Sequence, residues 1–110
     1  MSEPRDVVVV GAGVGGLATA VRMAARGHRV TVLEAADTVG GKLGEHVDAG
    51  HRFDRGPSLF TMPELMEELD ALVPTSTPGR PGPFRYRTLD RSTHYFSEDE
   101  EGPLVAWTDS

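Results

Sequence analysis

Asp6-Val7-Val8-Val9-Val10-Gly11-Ala12-Gly13-Val14-Gly15-Gly16 is the stretch on which the fold of this 110-residue chain turns. Four successive β-branched residues with no polar alternation read as a strand buried on both faces of a parallel sheet, closed by Gly11. From Val14 the apolar residues fall at Val14, Leu17, Ala18, Val21, Ala24 and Ala25, spacings that lay one stripe along a helix. Gly27 supplies a left-handed stop. Arg29 to Glu34 (RVTVLE) reads as the second parallel strand. Strand, glycine turn, helix and strand make a βαβ unit, for which a right-handed crossover is expected.

Gly11, Gly13 and Gly16 satisfy G-x-G-x-x-G, and the physics of such a turn assigns each a task. Gly11 allows the tight exit from the strand, Gly13 lets the backbone approach a pyrophosphate, and Gly16 lets helix and strand pack closely. With Ala12, Val14 and Gly15 they form a candidate diphosphate site at the positive end of the helix dipole. Glu34 follows Gly11 by 23 residues and ends the second strand, where a carboxylate can accept hydrogen bonds from both ribose hydroxyls of an adenosine, and the adjoining Ala35 is counted with it as a candidate cofactor-binding residue. The same carboxylate repels a 2′-phosphate, which disfavours NADP. NAD and FAD share the ADP half, so these residues alone leave both open.

Working outward, ten of the thirteen glycines lie between residues 11 and 56, whereas Pro74, Pro78, Pro81 and Pro83 crowd one short segment. The expected organisation is a dinucleotide-binding segment over 1–73, a proline-rich linker over 74–83 and the start of a β-rich segment over 84–110. Within the first, Lys42 to Asp48 and His51 to Asp54 read as short strands around Ala49-Gly50. Thr61-Met62-Pro63-Glu64 has the form of a capping box opening a helix over 61–73. Beyond the prolines, Phe84 to Leu89, Thr93 to Ser97 and Leu104 to Thr108 read as strands, separated by Asp90-Arg91-Ser92 and by an acidic turn, Glu98 to Gly102. The fold class is therefore α/β, the N-terminal part of a Rossmann-like domain followed by strands of an incomplete sheet, with one small core at most.

Eleven basic against seventeen acidic residues leave a net charge of −6, which disfavours a nucleic-acid partner. No cysteine is present, so disulfides, thiolate metal sites and a cysteine nucleophile are excluded, and a cytoplasmic location is the expectation. The longest apolar run, Val7 to Val10, is far below the ~20 residues of a membrane span. His28, His46, His51 and His94 show no metal-ligand spacing, so no metal is expected. Asp54 closes a short strand and is given no catalytic role, and no catalytic acid or base is assigned.

Glu34-Ala35-Ala36-Asp37-Thr38-Val39-Gly40-Gly41-Lys42 resembles the extended dinucleotide signature of the FAD-dependent amine-oxidase and carotenoid-desaturase superfamily. Phe53-Asp54-Arg55-Gly56-Pro57-Ser58 is similar to the element that follows in bacterial phytoene desaturases. The likeness covers about residues 5–73 and is loose over 84–108. It implies an FAD cofactor, with Gly41 giving a second close approach and Lys42 a point charge near the diphosphate, less directional than the arginine usual in amine oxidases. Gly56, Pro57 and Ser58 would then offer a rigid turn to the flavin edge. The implied reaction is oxidation of a C–C bond in a long, hydrophobic polyene, the flavin carrying the chemistry.

Other members of the superfamily remain alternatives: an amine oxidase, a protoporphyrinogen oxidase or a retinol-saturase-like enzyme. So does a non-catalytic ADP-binding module; an NAD-dependent dehydrogenase fragment is disfavoured by the Gly-Gly-Lys and Gly-Pro-Ser elements. Members of the resembled family are several times longer. The expectation is a segment of a larger oxidoreductase, completed by further chain or by a complementing chain, inactive alone, with peripheral membrane contact open to the full enzyme.

Overall fold

The computed structural model describes residues 3–96, 102 and 104–107. Strand β1 (Asp6–Val10), helix α1 (Val14–Ala25) and strand β2 (Arg29–Leu33) form the expected unit, β1 and β2 pairing in parallel with Asp6 opposite Arg29 and Val10 opposite Leu33. The helix stops as its sequence dictates. The His28 amide donates to the Met23 carbonyl and the Gly27 amide to that of Ala24, around a left-handed Gly27 at φ +87°; this is a Schellman closure. Next to this closure, at the start of β2, Arg29 forks onto Asp6 at 2.6 and 2.9 Å, an exposed pair worth at most about 1 kcal/mol.

The expectation that β1 is buried on both faces is corrected. Val7 and Val9 are half-buried on the side that α1 covers, whereas Val8 and Val10 remain 60% and 84% exposed. No described element lies against that second face, so an all-valine strand reports the face it can bury rather than one it does bury. The core stays within the expected limit of one small core: Ala12 is the one buried hydrophobic residue among the described residues. The radius of gyration is 18.7 Å, against about 13 Å for a compact chain of this length.

After β2 the chain makes a one-turn 3-10 helix (Gly41–Leu43), then the antiparallel hairpin β3 (Glu45–Asp48) and β4 (His51–Asp54). The strand expected from Lys42 thus begins three residues later, because Gly40 and Gly41 at φ +113° and +58° coil the chain first. Ala49 and Gly50, both at positive φ, form the two-residue turn that matches strand twist.

Helix α2 (Pro63–Ala71) starts two residues later than expected, and the Thr61–Glu64 capping box does not form. A capping box would need Met62 in right-handed helical conformation, which the ring of Pro63 disfavours for its predecessor. Met62 takes a left-handed conformation instead, and Pro63 occupies the first turn, where its missing N–H is harmless.

Segment 74–83 is folded back through two successive turns, the Thr77 amide donating to the Pro74 carbonyl and the Arg80 amide to that of Thr77. Among the described residues no strand is assigned over 84–89; Phe84 packs its ring on Phe60 and Tyr86, centroids 5.7 and 5.8 Å apart. The strand expected at Thr93 begins at Arg91, so β5 (Arg91–Tyr95) takes in two residues read as a separator and pairs antiparallel with β6 (Leu104–Trp107). Ser97, Thr108 and, Gly102 apart, the acidic turn lie outside the described residues. Among the described residues no helix is long and apolar enough to cross a membrane.

Candidate dinucleotide-binding site

The carboxyl ends of β1 and β2 bring the glycine turn and Glu34 together. The Gly11 amide donates to the Leu33 carbonyl at 2.7 Å, locking the exit of β1 to the end of β2. Glu34 reaches back across that junction: Oε2 accepts the Ala12 amide at 2.6 Å and Oε1 accepts the Ala36 amide at 2.9 Å. Each carboxylate oxygen keeps a lone pair for another donor. A groove of about 350 Å³ beside it is lined by Val10, Gly11, Leu33, Glu34 and Ala35, an apolar floor next to a charged acceptor.

These amides, Ala36 first and then Ala12, with Ala35 last, hold the Glu34 carboxyl below its ordinary value of 4.5 and outweigh an opposing desolvation. A carboxyl whose folded value is depressed stabilises the fold above its unfolded value and loses that contribution as pH falls through the folded one. The stability difference between the wild type and Glu34→Gln is therefore expected to be constant above about pH 5.5 and to shrink below about 4.5. Thermal unfolding across a pH series checks it; a difference that grows on acidification rejects the bracing.

The glycines of the motif serve two separate purposes. A Cβ on Gly16 would lie 2.0 Å from the Gly11 carbonyl oxygen, so only glycine lets α1 sit this close to the turn. A Cβ on Gly13 or Gly15 would meet nothing within 4 Å. The protein's own packing gives no reason for glycine at 13, whose φ of −74° suits any residue; the space in front of it suits a ligand. The first turn of α1 has no acidic residue and no side-chain cap, which leaves its amides, unpaired within any helix, for an anion.

A second turn docks on the first. The Gly40 amide donates to the Ala12 carbonyl at 2.8 Å, and Gly13 and Gly40 form an isolated parallel bridge. A Cβ on Gly41 would stand 3.1 Å from the Gly13 Cα. Gly40, absent from the expected site residues, is thus the one that makes the contact, and the Gly-Gly pair was its signal. A third turn docks on the second: the Arg55 amide donates to the Gly44 carbonyl at 2.9 Å, and a Cβ on Gly56 would lie 1.9 Å from the Lys42 carbonyl oxygen. Lys42 and Gly56 therefore meet through backbone. Pro57 and Ser58 continue the exposed loop towards α2.

A parallel βαβ unit with a glycine turn over the helix N-terminus and an acid ending the second strand defines a dinucleotide-binding half-domain. Residues 9–73 match the NAD(P)-binding Rossmann-like domain family, and the chain belongs to it. It is 41% identical over 95 residues to the 1-hydroxycarotenoid 3,4-desaturase of Flavobacterium sp. (strain P99-3), covering 86% of this chain and 19% of that protein. It is 50% identical over 68 residues to the phytoene desaturase of Phycomyces blakesleeanus, 62% of this chain and 12% of the relative. The neurosporene-forming phytoene desaturase of Rhodobacter capsulatus is 48% identical over 62 residues, 56% of this chain and 12% of the relative. The chain thus spans a fifth or less of the length of these relatives.

Proposed function

We propose that this chain is the cofactor-binding N-terminal segment of an FAD-dependent oxidoreductase that desaturates a long polyene of the carotenoid class. The observation that carries the reading is the open face of Gly13, set between the N-terminus of α1 and the braced carboxylate of Glu34. In this reading the amides from Gly11 to Gly16, through Ala12, Val14 and Gly15, receive the diphosphate. Glu34 takes the ribose hydroxyls and Ala35 borders the adenosine. Gly41 keeps the second turn close, Lys42 adds positive charge near the diphosphate, and Gly56, Pro57 and Ser58 border the flavin. Bound FAD supplies a two-electron acceptor for the C–H bonds of the polyene. This chain's residues bind and orient; the substrate surface belongs to further segments or to a complementing chain. A long polyene partitions into lipid, so the reading includes a cytoplasmic enzyme that meets its substrate at a membrane surface.

The test is the absorbance spectrum of the purified chain after FAD addition and desalting, scanned for bound-flavin bands near 375 and 450 nm. Retained flavin, undisplaced by excess NAD, is the expected result. NAD binding without flavin retention would replace FAD by a nicotinamide cofactor, and no binding of either would reject the segment as a cofactor site. Gly13→Ala is expected to weaken FAD binding at least about tenfold while the unfolding curve stays unchanged, because the new methyl enters ligand space and touches no protein atom.

A further inference from the structure

We infer that residues 74–84 are a strap tied shut over an apolar groove by a single side chain, Arg80. The groove, about 670 Å³, lies between α1, α2 and the strap, walled by Leu17 and Val21 of α1, Met66 and Leu69 of α2, and Pro81 and Phe84 of the strap. It extends to Val14 and Gly40, so it shares a wall with the glycine turns.

Arg80 lies in mid-strap and reaches the C-terminal end of α2. Its Nη1 donates to the Val73 carbonyl at 2.6 Å, and its Nη2 stands 2.7 Å from Asp70 Oδ2 and 3.4 Å from the Asp70 carbonyl. The Asp70 carbonyl also accepts the Val73 amide at 3.1 Å, so the guanidinium adds to a turn that already closes the helix, and a cation there is favoured by the helix dipole. The two side chains are only 13% and 27% exposed. The other ion pairs among the described residues, Arg22–Glu68, Arg29–Asp6 and Arg52–Glu45, are far more open to water. A screened surface pair holds little; a fork shielded from water and shared among three acceptors holds a loop.

The strap is built to move in stiff pieces. Pro74, Pro78, Pro81 and Pro83 fix φ along it, and Gly79 and Gly82, at φ +76° and +112°, flank Arg80 as the places where the backbone turns freely. Its far end is held by Phe84 against Phe60 and Tyr86. Among the described residues the side chain of Arg80 is the one polar tie from the strap between Pro74 and that clamp to the end of α2, and its release opens the groove.

Amide hydrogen exchange on the whole chain tests the strap. Arg80→Ala and Asp70→Asn are expected to speed exchange over residues 74–84, Thr77 included, by about tenfold or more, with β1 and β2 unchanged. Arg80→Lys, which keeps the charge but not the fork, is expected to fall between. Unchanged exchange over 74–84 in Arg80→Ala would overturn the tie. Exchange that rises equally in β1 and β2 would overturn it as well, since Arg80 would then support the fold at large rather than the strap.

Discussion

Gly16→Ala is expected to abolish cooperative folding of the chain. The added methyl would fall 2.0 Å from the Gly11 carbonyl oxygen and 3.1 Å from its carbon, both backbone atoms that no rotamer change can move. Gly11 cannot retreat, because its amide is bonded to Leu33 and its neighbour Ala12 to Glu34. Relief requires α1 to lift from β1, where Val9 already waits 3.4 Å from the same methyl. Overpacking of ordinary cores costs about 1–3 kcal/mol, and a clash against fixed backbone lies at or above the top of that range. With Ala12 as the one buried hydrophobic residue among those described, little stability stands against such a loss. Urea unfolding followed by far-UV circular dichroism measures it, and a transition within 1 kcal/mol of wild type would contradict the close approach. Gly13→Ala, three residues away, is the internal control, because its methyl meets open space.

That contrast also marks what the sequence could and could not tell. β1, α1 and β2 were legible because a valine run, a stripe at helical spacing and a Gly27 stop are local signals, and the paired strands needed only each other. The turn at Ala49-Gly50 was legible for the same reason. Phe84 to Leu89 has strand-like composition, yet composition does not decide what a side chain packs on, and the ring of Phe84 settles between those of Phe60 and Tyr86. The capping box at Thr61 failed on a neighbour effect, the ring of Pro63 acting on Met62. In the site, the motif glycines could be found by spacing, but which serve packing and which leave ligand space depends on atoms brought close by folding. The docking of Gly40 on Ala12 and of Gly56 on Lys42 joins turns far apart in the chain, and the reach of Arg80 to Val73 spans a loop that composition alone reads as a linker.

Glu34→Arg is expected to abolish FAD binding, by about a hundredfold or more in affinity, the scale of losing two charge-assisted hydrogen bonds. The side chain has two duties that this replacement removes together. It accepts the Ala12 and Ala36 amides, which holds the glycine turn in register with the end of β2. Its remaining lone pairs face the groove floored by Val10, Leu33 and Ala35, where ribose hydroxyls would be donors. Arginine offers only donors, so it opposes both amides and both hydroxyls. Glu34→Gln separates the duties: the amide oxygen can keep one backbone bond, while its NH₂ faces the other N–H, so an intermediate loss is expected. Flavin titration by fluorescence quenching, read beside the unfolding curve of each variant, distinguishes a lost acceptor from a collapsed turn. Unchanged FAD affinity in a folded Glu34→Arg chain would reject Glu34 as the ribose acceptor and move the adenosine away from the end of β2.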